Sequence, residues 1–282
     1  CCEFHNGAVT SDHPQCSAIG AEILRLGGSS VDAAIATMIC IGAANMFASG
    51  IGGGGFAMIR VGKETDFLDF REVAPAGSSE FMFEGKGAEA SSLGGMAIAV
   101  PGELRGFQAM HAKYGKLQWS ELLAPTIRIC RHEGIMVTPL QTKRYRFING
   151  NKYLLSVFKP RGRKLNVGER FFLPALANTL EVIAKNGVDA FYNGTLTESI
   201  VKTIQENGGI ITKKDLTDYQ VERRTPLTSK YERFQIITGP PPTAGIIIIK
   251  ALNIMEHFPC CNKDLLKNYE FWHVFVEALK FA

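Results

Sequence analysis

The sequence lacks every short motif that would identify its function directly. Its net charge is only +4 over 282 residues, which gives no reason to expect nucleic acid as a partner. No apolar run approaches the ~20 residues of a membrane-spanning helix, so we expect neither a transmembrane segment nor a signal peptide within these residues. The sequence also has no G-x-S-x-G, no H-E-x-x-H and no P-loop lysine, so the common signatures of serine hydrolases, zinc proteases and nucleotide-binding proteins are absent.

Metal-binding patterns are missing as well. The seven cysteines form no CxxC pair and the six histidines are scattered, so we predict no metal site and no cofactor. Because the chain begins with Cys1 and not with Met, we expect a mature, trimmed or partial chain that could have lost a targeting segment. The sequence leaves open how five of the cysteines pair, namely Cys1, Cys2, Cys130, Cys260 and Cys261.

A helical hairpin is predicted near the N-terminus. Apolar spacing predicts one helix over 14–26 and a second up to about Ala44, with Gly27-Gly28 at the turn. Cys16 and Cys40 each lie about 12 residues from that turn, so they lie at the same height on packed antiparallel helices. Axes ~8–10 Å apart allow facing cysteines to approach bridging distance. A disulfide between Cys16 and Cys40 is favoured, with two buried thiols as the alternative.

The densest cluster of glycines in the chain precedes a predicted strand. Five of the six residues in Gly50–Gly55 are glycine, the strand Phe56–Val61 follows, and Arg71 stands shortly before a proline. Glycine is used this densely where backbone turns with positive φ or comes close to another group. A backbone cradle beside a guanidinium fork suits a small carboxylate. The simpler alternatives are a tight turn into the strand for the glycines and, for Arg71, either an exposed arginine at a strand end or a salt bridge with Asp69 or Glu72.

The rest of the chain reads as helices mixed with short strands. Residues 141–170 carry nine Lys or Arg and one acid, Glu169, which indicates a solvated surface segment or, as the sharper alternative, a docking patch for acidic partners. Short strands are predicted at Asp66–Phe70, Tyr219–Arg223 and Tyr231–Ile237. Further helices are predicted over 103–113, 119–133, 174–186, 196–207, 246–257 and 271–281.

Several segments, taken in order, resemble the γ-glutamyltransferase (γ-glutamyl transpeptidase, glutathione hydrolase) family. The ordered set over nearly the whole chain is specific, whereas no single motif would be. The matching segments are Cys16–Gly20, Gly27–Ala36, Ser49–Gly54, Arg71–Pro75, Ala99–Gly106, Ala190–Gly194, Gly208–Thr212 and Asp215-Leu216.

The resemblance implies a fold and a reaction. The fold is the α+β N-terminal-nucleophile hydrolase fold, a layered αββα arrangement that is helix-rich with a central, mostly antiparallel sheet. The precursor cuts itself, and the new N-terminal threonine of the small subunit attacks a γ-glutamyl donor such as glutathione. Water, an amino acid or a dipeptide then accepts the γ-glutamyl group.

The matched segments all belong to the large-subunit side of the family, so residues 1–282 are predicted to be one domain. The nucleophile is expected to lie beyond this chain, and the chain alone is expected to be inactive. Arg71 resembles the arginine that pairs with the α-carboxylate of the substrate, and Gly52, Gly53 and Gly54 lie near that site.

The same resemblance extends to modification and location. Cys16 and Cys40 match positions that pair as a disulfide in animal members, and Asn193 begins a glycosylation sequon where animal relatives also carry one. Both features imply the outer face of the plasma membrane or secretion, although the chain lacks the family's N-terminal anchor. Two alternatives stay open: a truncated, non-catalytic homologue that acts as a γ-glutamyl-binding decoy or partner, and a domain whose motifs serve folding only.

Overall fold

The computed structural model describes residues 6–87, 89–145, 148, 151–258 and 268–282. Cys1, Cys2, Cys260 and Cys261 lie outside these residues. The helices are α1 (Pro14–Arg25), α2 (Ser30–Ala44), α3 (Glu103–Tyr114), α4 (Trp119–Arg128), α5 (Pro139–Arg144), α6 (Lys152–Phe158), α7 (Pro174–Asn186), α8 (Asp189–Tyr192), α9 (Thr197–Glu206), α10 (Lys213–Asp218), α11 (Gly245–Met255) and α12 (Tyr269–Phe281). The strands are β1 (Phe56–Val61), β2 (Glu64–Asp69), β3 (Ile135–Met136), β4 (Arg170–Phe171), β5 (Glu222–Arg224), β6 (Leu227–Tyr231) and β7 (Phe234–Thr238). Within the described ranges, no helix combines the length and the apolar character that crossing a bilayer would require.

The chain divides into two compact units. The first contains the residues up to Gly55 together with Phe70–Val221, and the second contains Phe56–Asp69 together with Glu222–Ala282. This division does not decide between one domain and two, so a single domain over 1–282 stays a prediction.

The first unit is built on the hairpin of α1 and α2. Ser29 caps α2: its hydroxyl accepts a hydrogen bond from the Asp32 N–H, and the Asp32 carboxylate accepts one from the Ser29 N–H. The Cα atoms of Cys16 and Cys40 lie 5.3 Å apart and the two residues form a disulfide. The hairpin therefore holds these cysteines as a bonded pair, not as two thiols.

Helix α2 lies in the middle of the first unit. Its sequence is apolar almost all round, which is typical of a helix buried on every side. Eleven of its fifteen residues are buried, Ile35 and Ile39 among them, and α1, α3 and α4 pack against it. The glycine-rich stretch follows directly after this rigid helix, so its first residues start from a fixed position.

The basic stretch 141–170 contributes to the core as well as to the surface. The Lys and Arg side chains described there are largely exposed, as expected of a solvated segment. However, Tyr145, Phe158 and Phe171 are buried, with ring centroids 5.5 and 4.8 Å apart in succession. The prediction of a solvated surface segment therefore holds for the charged side chains, whereas aromatic residues of the same stretch pack into the core together with Phe171, which follows it.

The second unit contains a three-stranded antiparallel sheet in the order β1-β2-β5. Arg224 pairs with Asp69 at 2.8 Å across β5 and β2. A separate hairpin of β6 and β7 packs against α11. The strand predicted over Tyr231–Ile237 is β7 from Phe234 onward, but its first residues form the turn from β6. There Glu232 has a φ of +50° and its N–H donates to the Glu256 carboxylate at 2.8 Å.

The expected α+β class is confirmed. The described strands are antiparallel throughout and fall into three small sheets, the third pairing β3 with β4. The strand expected at Tyr219–Arg223 begins later, at Glu222, and Tyr219 takes a different position, beside Arg71.

Candidate functional site

Arg71 lies on an extended segment that is locked to the end of the glycine-rich loop, Ser49–Gly55. Gly55 and Phe70 exchange two backbone hydrogen bonds, with N···O distances of 3.2 and 2.9 Å. The backbone of Arg71 is fixed as well, since its carbonyl accepts a hydrogen bond from the Tyr219 hydroxyl at 2.8 Å. The Arg71 side chain is exposed. A guanidinium on a rigid backbone segment is thereby presented at the surface beside the loop.

The predicted glycines of this loop differ in what they do. A Cβ at Gly54 would lie 2.4 Å from the Phe70 carbonyl oxygen and 2.9 Å from the Glu72 nitrogen, so only glycine fits there. A Cβ at Gly53 would be tight, 3.3 Å from Glu72 Oε1, whereas nothing lies within 4 Å of one at Gly52. The loop is thus pressed against the Arg71 segment at Gly54 and open at Gly52.

The start of α3 is the third part of the site. The Gly53 carbonyl accepts hydrogen bonds from the N–H groups of Gly102 and Glu103, at 2.8 and 3.0 Å, which satisfies two donors of the first helical turn. A Cβ at Gly102 would lie 2.2 Å from the Phe70 carbonyl oxygen. Loop, Arg71 segment and helix start therefore interlock through their backbones, and we call these three parts the glycine junction.

A buried carboxyl group lies inside the glycine junction. Glu103 is 1% exposed, and its Oε2 accepts hydrogen bonds from the Ser49 hydroxyl at 3.0 Å and from the Gly50 N–H at 3.4 Å. Its Oε1 has no hydrogen-bond partner among the described residues. Burial, reinforced by the nearby negative charge of Glu72, raises the pKa of Glu103 to about 7 against the two hydrogen bonds that lower it.

Sequence reasoning missed Glu103, Gly102 and Tyr219 as members of the site. One signal was available: Gly102 and Gly106 lie four residues apart on one face of α3, and both meet Phe70. Such spacing predicts close approach of another backbone or ring. Nothing local to Tyr219 marks it, because its contact with Arg71 spans 148 residues of sequence.

A cavity of about 510 Å³ runs along the outer side of the loop. Ser49–Gly53 form one wall, and apolar side chains such as Phe47, Leu176 and Leu180 form the others. Its size suits a small molecule, but Arg71 is not among its lining residues. Elsewhere in the described ranges, no three His, Cys, Asp or Glu side chains converge as metal ligands would.

The sequon begins at Asn193, at the end of the short helix α8. The Asn193 side chain is exposed. A local hydrogen bond stabilises the turn after Asn193: the Thr197 hydroxyl accepts from the Gly194 N–H at 2.8 Å. The side-chain amide of Asn193 is therefore accessible to the attachment of an oligosaccharide.

Known structures define the class of protein. The γ-glutamyltranspeptidase of Pseudomonas nitroreducens complexed with L-DON matches 99% of this chain and 84% of its own, with a TM-score of 0.89 and 34% identity. The Helicobacter pylori γ-glutamyltranspeptidase matches equally well, with a TM-score of 0.89 over 99% of this chain and 83% of its own, at 33% identity. The fold is therefore that of the N-terminal-nucleophile hydrolases to which these proteins belong.

Sequence comparison narrows the class to a family. The family model described as Gamma-glutamyltranspeptidase matches residues 16–282, and the chain belongs to this family. Glutathione hydrolase proenzyme 1 of Schizosaccharomyces pombe is 42% identical over 259 residues, which are 90% of this chain and 41% of that protein. Proenzyme 2 of the same yeast is 41% identical over 97% of this chain and 45% of its own length. The chain thus spans less than half the length of these curated relatives.

Proposed function

We propose that the chain forms the large-subunit part of a glutathione hydrolase, which cleaves glutathione and related γ-glutamyl compounds and transfers the γ-glutamyl group to water, an amino acid or a dipeptide. Membership of the family and the similarity to named glutathione hydrolases support this proposal. Nothing in the comparisons supports the alternative of a non-catalytic decoy.

The observation that carries the proposal is the position of Arg71 on the glycine junction. A guanidinium offers two parallel N–H donors that match a carboxylate, whereas an ammonium acts as a point charge. The Arg71 backbone is held by the Tyr219 hydroxyl and by the close approach of Gly54, so the backbone from which the guanidinium extends is already ordered before a ligand binds. We assign to Arg71 the recognition of the α-carboxylate of the γ-glutamyl donor.

The remaining chemistry follows from the family resemblance. In the complete protein, a threonine hydroxyl attacks the γ-carbonyl carbon, the amine of the departing peptide takes a proton, and a γ-glutamyl ester forms on the threonine. Attack by water or an amine on this ester releases the product and restores the hydroxyl. This chain would hold the donor in place for both steps and would show no turnover by itself.

We also propose an extracellular location, at the outer face of the plasma membrane or in secreted form. The disulfide between Cys16 and Cys40 is of the kind that persists in oxidising compartments. The exposed Asn193 in its sequon is accessible to glycosylation there. Peptide mass spectrometry of the protein from its native source tests this: an unmodified Asn193 and free thiols at both cysteines would contradict it.

The test of Arg71 is the substitution Arg71→Lys in the full gene product that contains this chain. Loss of a charged, bidentate hydrogen bond of about 1.5–3 kcal/mol should raise KM for a γ-glutamyl anilide about 10- to 150-fold. Self-cleavage should survive, because Arg71 takes no part in it. Arg60→Lys, an exposed arginine on β1, is the control and should leave KM unchanged. An unchanged KM in Arg71→Lys would refute the assignment.

A further inference from the structure

One buried carboxyl group of the glycine junction has no task in the function proposed above. Glu103 joins its own helix α3 to the start of the glycine-rich loop at Ser49 and Gly50. It also lies close enough to Glu72, next to Arg71, for the negative charge of Glu72 to disfavour its ionisation. Its N–H also donates to the Gly53 carbonyl. The loop is therefore held by this residue at both ends, through the side chain at Gly50 and through the backbone at Gly53.

The partners of the carboxyl group compensate its charge poorly. One hydroxyl and one N–H at 3.4 Å reach Oε2, and Oε1 has no partner in the described part of the chain. An ionised carboxylate is costly to bury without a cation or a full set of donors. The protonated group fits this environment, and ionisation favours any movement that brings water to Oε1.

We propose that Glu103 is a positioning residue for the γ-glutamyl site, which holds the glycine-rich loop in place beside Arg71 and releases it when its carboxyl group ionises. This inference rests on the function proposed for Arg71. Because the loop and the Arg71 segment share the contacts at Gly54 and at Gly55, release of the loop reaches the backbone of Arg71 directly. The ionised carboxylate also adds a negative charge near the site at which an anionic substrate binds.

Several titratable and charged groups surround Glu103. Glu72 is the acidic neighbour on the Arg71 segment. Tyr192, which interacts with Glu103, has its pKa raised by burial, so its hydroxyl stays protonated. The guanidinium of Arg105 stacks over the Tyr192 ring, and that of Arg71 extends from the neighbouring segment. The second phenol of the junction, that of Tyr219, donates to the Arg71 carbonyl. The raised pKa of Glu103, about 7, places its own ionisation within the working range.

The experiment compares the full gene product with its Glu103→Gln and Ser49→Ala variants between pH 6 and pH 8. An amide is the same shape as the protonated carboxyl group but does not ionise. In the unmodified protein, KM for a γ-glutamyl anilide should rise at least about fivefold from pH 6 to pH 8, the lower end of usual coupling between sites. In Glu103→Gln, KM should stay flat and near the pH 6 value. Ser49→Ala should raise KM at both pH values and keep the pH dependence. Parallel pH profiles for Glu103→Gln and the unmodified protein would overturn the proposal.

Hydrogen exchange separates a failure of this inference from a failure of the proposed function. At pH 8, loop peptides covering 47–55 should exchange faster in the unmodified protein than in Glu103→Gln, and at pH 6 equally fast. Because each comparison is made at one pH, the intrinsic exchange rates cancel. If no γ-glutamyl compound is turned over, the proposed function fails, and this exchange difference alone decides the role of Glu103. Equal exchange at both pH values would then reject it.

Discussion

The chain buries an acidic side chain in the first turn of two different helices, and the surroundings of the two carboxyl groups differ. Asp32 of α2 accepts three backbone N–H groups on its Oδ2, from Ser29 at 2.8 Å, Lys116 at 2.9 Å and Leu117 at 3.2 Å. Glu103 of α3 accepts one hydroxyl and one distant N–H. The first carboxylate ties the helical hairpin to the loop after α3, and the second ties the glycine-rich loop to the helix start.

The difference between them is one of donor supply. Three backbone N–H groups at fixed positions donate to Asp32 Oδ2, and His111 Nε2 lies 3.8 Å from Asp32 Oδ1, which like Glu103 Oε1 accepts no hydrogen bond within the described residues. The three backbone donors make Asp32 an anchor between the hairpin and the loop after α3. The carboxyl group of Glu103 accepts only two hydrogen bonds, one of them long, so its ionisation destabilises the folded structure around it. The region around Asp32 therefore stabilises the fold, and the region around Glu103, next to Arg71, is the one that we expect to respond to pH.

The largest effect is expected from Asp32→Ala. Three backbone N–H groups would lose their acceptor in a buried place, which should lower the free energy of unfolding by about 4 kcal/mol. Urea denaturation measures this, with Asp32→Asn as a milder variant in case the alanine form does not fold. Glu22→Ala removes an exposed ion pair with Arg25 on the same hairpin and serves as the control, with less than about 0.5 kcal/mol expected. A loss below 1 kcal/mol in Asp32→Ala would show that this carboxylate is no anchor.

Glu103→Gln is expected to raise the free energy of unfolding at alkaline pH, whereas Asp32→Ala lowers it. The pKa of Glu103 is raised from 4.5 to about 7, so between these pH values the folded protein binds more protons than the unfolded one. Its stability therefore falls as pH rises through this window, and it carries the full penalty above it. The glutamine variant should be more stable than the unmodified protein by about 3 kcal/mol at pH 8, with most of this gain absent at pH 5. A variant that is less stable at pH 8 would contradict the comparison.

The smallest effect concerns the loop that Glu103 holds. Gly54→Ala forces a methyl group against the Phe70 carbonyl and should lower the free energy of unfolding by about 1–3 kcal/mol. Gly52→Ala, two residues away, has open space within 4 Å and should change stability by less than about 0.5 kcal/mol. Thermal unfolding of both variants checks the pair. Equal shifts would mean that the loop is not pressed against the Arg71 segment.

The local elements of this fold could be predicted from the sequence, whereas most of the glycine junction could not. Helices α1 and α2 follow from apolar spacing and from the glycines between them, and the matched heights of Cys16 and Cys40 favour their disulfide. These are local patterns. The contacts of Glu103 with Ser49 and of Tyr219 with Arg71 span 54 and 148 residues, and no periodicity marks them.

Two departures from the predictions, the buried aromatic residues in 141–170 and the turn at Glu232, have the same origin. Because charged residues dominate the composition of the stretch 141–170, its composition predicts a surface segment. Tyr145 and Phe158 of this stretch are nevertheless buried. The hairpin turn at Glu232 carries no glycine or asparagine, and the distant Glu256 supplies the acceptor for its N–H. In both places tertiary contacts override the local signal.

The central claim, that Arg71 recognises the α-carboxylate of a γ-glutamyl donor, is tested most directly by changing the residue and the substrate together. KM is measured for the unmodified protein and for Arg71→Lys, each with a γ-glutamyl anilide and with its analogue in which the α-carboxylate is replaced by a carboxamide. The account predicts that removing the substrate charge raises KM strongly for the unmodified protein and much less for Arg71→Lys, so that the two changes are not additive. Fully additive effects would show that Arg71 and the α-carboxylate do not meet, and would contradict it.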